Sequence, residues 1–251
     1  MLTLSPNSKK CSAAKLFAAF VCLSSAAQAW AAPPLHVNVK PTLGAPTASQ
    51  LRAELRQTLG KKGGSFAPLL AQWEARYGST AVPGLLSIAQ DRANTDSDRF
   101  VALMGTTRLG GSETAPYLVP FLKDSSWMLR SGALRALSAI QSPQIRIPAS
   151  AVLPLLNDSA LVVRSEAIDA VVALKLPGAG VALLGVLEQR SNYLSSGKPL
   201  WVPGKALAAL RSLGPAVARD ALPGLREWAK TKARAELLPA ARETIQVLEQ
   251  P

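Results

Sequence analysis

A chain of 251 residues with 48% hydrophobic content can bury one large core or two small ones, which excludes a disordered polypeptide. Only 5% of the residues are aromatic; Leu, Ala and Val carry the apolar content, a bias that suits helices in close contact through small side chains. The formal charge of +12 makes acidic molecules the natural counterparts of its surface.

Residues 1–29 read as a secretory signal peptide. Lys9, Lys10 and Lys15 form a basic n-region, Leu16 to Leu23 a short apolar run, and Ala27-Gln28-Ala29 an A-x-A cleavage pattern. Cleavage after Ala31 competes with cleavage after Ala29. The apolar run falls short of the ~20 residues that a membrane span requires, which argues against an uncleaved anchor. Val21 argues against lipoprotein processing at Cys22, because a small residue usually stands there. Cys11 and Cys22 are the two cysteines, so the mature chain is expected to lack thiols and to rely on helix packing for stability. Loss of the three lysines takes the formal charge to +9. The expected location is periplasmic or secreted, with no transmembrane segment after cleavage.

Residues 30–48 contain Pro33, Pro34, Pro41 and Pro46 without helical periodicity and read as a linker, with a short strand at Leu35 to Val39 as the alternative. From residue 49 to 251 the chain becomes a series of helical segments divided by Gly, Pro, Asp and Ser. An internal repeat organises them. Pro120-Phe121-Leu122-Lys123-Asp124-Ser125 aligns with Pro154-Leu155-Leu156-Asn157-Asp158-Ser159, then Arg130-Ser131 with Arg164-Ser165, Ala133 with Ala167 and Ala136 with Ala170, at an offset of 34 residues. The proline part is expected to close a first helix, and Asp-Ser to turn the chain and cap a second helix that the arginine opens. The same apolar phase recurs after Arg99, Pro203 and Leu238, so the helices are expected in pairs.

This pattern resembles the HEAT repeat, with a proline in the first helix, an aspartate in the turn and an arginine opening the second helix. The full motif covers residues 114–176; the flanking copies are degenerate. The resemblance implies an all-α fold, a right-handed α-α superhelix (solenoid) of about five to six helical hairpins with solvent-facing outer caps. It also implies that Arg130 and Arg164 pair with Asp124 and Asp158 in a ladder that fixes repeat stacking.

The side chains that catalysis needs are scarce. His36, the sole histidine, lies in the linker, and with no second histidine or mature thiol the usual zinc sites and the Ser-His-Asp or Cys-His arrangements lack their parts. Glu166 with Asp169, and Asp96 with Asp98, are the remaining carboxylate pairs; a charged helix surface and helix capping account for them. No catalytic residue, cofactor or metal ligand is assigned. Residues 190–201 form a longer connection than the Asp-Ser turns, and insertions in repeat proteins often bind. Tyr193, Lys198 and Trp201, with Arg135, are the candidate partner-binding residues. The expected role is a scaffold or adaptor for a protein partner. Rival readings are a binding module for acidic polymers, an anionic membrane surface or, less favoured in an exported protein, nucleic acid, and an accessory or lyase-like enzyme.

Overall fold

A computed structural model describes residues 44–59, 65–140 and 146–250. The segment expected to be a signal peptide, residues 1–29, lies outside the described residues, as do Cys11, Cys22, His36, the alternative strand at 35–39 and the expected linker up to residue 43. The chain divides after Val39, and the unit described is the one from Lys40 to Pro251.

The described residues are all-α. The helices are α1 (Ala48–Leu59), α2 (Phe66–Tyr77), α3 (Val82–Gln90), α4 (Asp96–Gly110), α5 (Ala115–Leu118), α6 (Trp127–Ala139), α7 (Ala149–Val152), α8 (Leu161–Leu174), α9 (Ala179–Glu188), α10 (Trp201–Leu213), α11 (Pro215–Ala218), α12 (Leu222–Thr231) and α13 (Leu238–Leu248). Short 3-10 turns join several of them, and among the described residues there is no sheet, the one bridge pairing Tyr193 with Pro199.

Packing follows chain order. α1 lies on α2, α3 on α4, and α9 on α10; α12 pairs with α13. In the two motif-bearing copies the first element is short: α5 continues as a 3-10 turn, Val119–Lys123, under α6, and α7 continues as Leu153–Asn157 under α8. The sequence predicts an α-helix closing at Pro120 and Pro154, and the structure corrects this. A proline has no N–H to give the carbonyl four residues back and its ring crowds that carbonyl, so the chain tightens to 3-10 geometry at both prolines. The second helices pack one on the next, in the order α2, α4, α6, α8, α10 and α13.

The apolar phase read from the repeat faces inward. Ala133, Ala136 and Leu137 of α6, Ala167, Ala170 and Val171 of α8, and Ala206 and Leu210 of α10 are fully buried. Small residues at these positions let the backbones approach. At Gly132 an added Cβ would stand 2.8 Å from the Phe100 ring, so glycine is needed where α6 crosses α4. Buried hydroxyls are satisfied within their own helices: Thr106 donates to the Ala102 carbonyl at 2.9 Å and Thr244 to that of Ala240 at 2.7 Å.

Two local expectations are revised. Asp96 and Asp98 do not cap α4 but lie in its first turn; the cap is Thr95, whose Oγ1 accepts the Asp98 N–H at 3.1 Å. Asp124 and Asp158 do not cap helices either. Each accepts the N–H two residues on, Ser126 at 2.9 Å and Ala160 at 2.8 Å, and so shapes the turn that precedes the helix.

Candidate interaction surface

The turns inside successive hairpins in the middle of the chain are joined by arginines, Arg99 and Arg164 buried and Arg130 nearly so, each the fourth residue of its second helix. Arg99 reaches forward from α4 to Asp124, with Nη2 donating to Oδ2 at 2.5 Å, while its Nε donates to the Ala89 carbonyl at 2.9 Å. Arg130 reaches from α6 to Asp158 with two parallel bonds, Nε at 2.7 Å and Nη2 at 2.8 Å; its Nη1 donates back to the carbonyls of Asp124 and Ser125. Arg164 repeats the backward bonds to Asp158 and Ser159, but its forward partner is Asn192, whose Oδ1 accepts from Nε at 2.8 Å. Each arginine thus bonds the backbone of its own turn or first helix and a side chain of the next turn. The forward step to Asn192 corrects the sequence expectation that Arg164 pairs with an aspartate.

Asn192 is the ladder residue that sequence reading missed. It stands 34 residues after Asp158, as Asp158 stands 34 after Asp124, so the period was available as a signal. The residue three places earlier decides between aspartate and asparagine. In the Asp turns that residue is Phe121 or Leu155, which offers no side-chain acceptor. Before Asn192 it is Gln189, whose Oε1 accepts from Nδ2 at 3.0 Å, and the Val186 carbonyl accepts from the same nitrogen at 2.9 Å. Asn94 repeats this arrangement with Asp91 and the Ile88 carbonyl.

Electrostatics follow from burial. Desolvation pushes the Asp124 carboxyl up, but bonds from Arg99 and the Ser126 N–H outweigh it and hold the group below the ordinary carboxylate value. Asp158 is held down in the same way by Arg130 and the Ala160 N–H against the effect of burial. The bond to Asp158 raises the Arg130 guanidinium, whereas burial lowers Arg164, for which Asp158 compensates only in part.

A second row of ion pairs, partly exposed to solvent, links the second helices. Arg108 on α4 binds Glu74 on α2 at 2.7 Å; Arg135 on α6 binds Glu166 on α8; Lys205 on α10 binds Asp169 on α8 at 2.5 Å; Arg211 on α10 binds Glu243 on α13. Burial raises the Asp169 carboxyl and Lys205 opposes that shift. The candidate Arg135 therefore belongs to this row, together with Glu166 and Asp169, one of the two carboxylate pairs considered for catalysis.

The other candidates lie apart from it, in the connection between α9 and α10. Tyr193 donates its hydroxyl to the Leu187 carbonyl at 2.6 Å, and burial raises its pKa. A narrow turn follows, with the Leu194 N–H bonded to the Lys198 carbonyl and Gly197 in the left-handed region at φ 83°. Lys198 is exposed, and Trp201, the first residue of α10, is 45% exposed. Tyr193 thus serves to pin the loop, while Lys198 and Trp201 present themselves to solvent.

No protein-family model matches this sequence, and no curated protein does. Among the described residues no group of three or more His, Cys, Asp or Glu side chains could hold a metal ion, and no helix is long and apolar enough to cross a membrane. A shallow open cleft of about 300 Å³ lies between the turns at 91–95 and 123–126, lined by Gln90, Arg92, Phe121 and Lys123 beside the Arg99–Asp124 rung.

Proposed function

We propose that this protein is an exported HEAT-like α-solenoid, of about five to six hairpins over residues 49–251, that acts as a scaffold or adaptor for a protein partner in the cell envelope. The observation that carries this reading is the continuity of the second helices, bonded across every step of the middle of the chain by the arginine rungs. Repeats that contact only their neighbours present a long side-chain surface at little conformational cost, and a protein partner needs roughly 800 Å² of it. The row from Glu74 to Glu243 gives that surface alternating charge, which favours recognition of a patterned partner over attraction to any polyanion.

The test is crosslinking in intact cells, followed by purification through the tagged protein and then through the candidate partner. One protein recovered in both directions, and retained at moderate salt, supports the reading; recovery that vanishes in moderate salt counts against it. Export is tested on the same cells. The processed chain should begin at Trp30 or Ala32 and fractionate with the envelope or medium, and a full-length cytosolic product refutes it.

A further inference from the structure

We propose that the edge formed by the third, fourth and fifth hairpin turns (residues 123–126, 158–160 and 189–200) docks on an anionic phospholipid surface. This goes beyond the scaffold reading and does not depend on it, since it concerns the turn edge and not the ion-paired row.

The rungs bring the three turns side by side: Arg130 bonds both Ser125 and Asp158, and Arg164 bonds both Ser159 and Asn192. The first residues of α6, α8 and α10 therefore share one edge in register, and they are Trp127, Leu161 and Trp201. The two indoles are 40% and 45% exposed, and the tip of the α9–α10 loop adds Leu194 at 50%. Neighbouring helices stand 8–10 Å apart, so the tryptophans are separated by roughly 20 Å.

Charge along this edge is one-sided. Lys123, Arg190 and Lys198 are exposed in these turns, and the carboxylates of the same segments, Asp124 and Asp158, are buried in rungs. Glu188, just before the fifth turn, is engaged by Lys232 at 2.6 Å. Beside the third turn, Arg92 joins Lys123 on the cleft, and the neighbouring carboxylates Asp91 and Asp96 are paired with Arg52 and Arg99.

This combination fits a bilayer interface better than a protein. A protein interface has a contiguous desolvated core, whereas here Trp127 and Trp201 stand roughly 20 Å apart with polar turns between them. A membrane interface requires only that: amphipathic rings at headgroup depth, and cations facing anionic lipid.

The test is co-sedimentation of the purified mature chain with phosphatidylcholine vesicles, pure or with one-third phosphatidylglycerol. Each cation near such a surface contributes about 1 kcal/mol, or about fivefold in partition, so Lys123→Gln with Lys198→Gln should weaken binding to the anionic vesicles about thirtyfold. Arg146→Gln with Lys175→Gln removes the same charge elsewhere; Lys175 follows the last residue of α8, roughly 21 Å from Leu161. That pair should change partition less than threefold. Trp127→Ala with Trp201→Ala should weaken binding about tenfold while leaving the helical circular dichroism and the slope of the salt dependence unchanged. Equal binding to both vesicle types, or no binding, overturns the proposal. So does equal loss from the two charge pairs, which marks general basicity. Dependence on the charges but not on the tryptophans overturns it too, because a soluble polyanion would behave in that way.

Discussion

Replacing Asp158 by asparagine tests the ladder at its centre. The carboxylate accepts two bonds from Arg130 and one from the Ala160 N–H, and the two side chains of the pair are only 7% and 13% exposed. Asparagine keeps one acceptor but turns an NH2 group toward a guanidinium or toward a protein wall. At Asn192 that NH2 finds Gln189 and Val186; at 158 the residue three places back is Leu155, which cannot accept. Removing one partner of a buried pair strands the other charge, at a typical cost of 3–5 kcal/mol, and the retained acceptor places Asp158→Asn near the lower end, about 3 kcal/mol. For a domain of this size the loss lowers the melting temperature by roughly 6–12 °C.

The assay is denaturant and thermal unfolding followed by circular dichroism, with Arg130→Met and the double variant completing a cycle. The double variant should be more stable than Asp158→Asn, because it removes the stranded cation. The pH dependence carries a sign. The folded Asp158 carboxyl lies below its unfolded value of about 3.9, so its stabilisation is present above that pH and is lost as pH falls through the folded value. Parent and Asp158→Asn should therefore converge once the pH has fallen below the folded value of that carboxyl. A difference of less than about 0.5 kcal/mol at neutral pH, or a gap that persists in acid, refutes the reasoning.

Asn192→Ala leaves the Arg164 guanidinium without its forward side-chain partner and should destabilise by about 2–3 kcal/mol in the same unfolding assay. Gly180→Ala places a methyl 2.9 Å from the Ala218 backbone and within the Asp220 carboxylate, where α9 meets α11, and should cost about 1–3 kcal/mol. In the first hairpin, Glu54 accepts from the Trp73 indole at 2.6 Å and the Tyr77 hydroxyl at 3.0 Å, with both rings buried. Glu54→Leu should lower the melting temperature and alter the tryptophan emission, with a loss of about 2 kcal/mol.

What the sequence alone determined was the helical class and the phase of the buried faces. Both follow from periods of 3.6 and 34 residues, and the alanines aligned across the repeat, from Ala133 and Ala136 to Ala167 and Ala170, occupy the fully buried positions. The direction of the rungs was a different matter. An arginine near the start of a helix and aspartates in two turns are compatible with pairing inside a hairpin or between hairpins, and only the placement of α6 against α8 brings Asp158 to Arg130. The same applies to Arg135 and Glu166, which are 31 residues apart and meet because their helices pack side by side. Asn192 stayed hidden because the Asp-to-Asn change and the long loop after it disguised a period that the backbone keeps. A repeat sets which residues recur, through chain geometry that each hairpin carries by itself; which of them touch is settled when one hairpin is laid on the next.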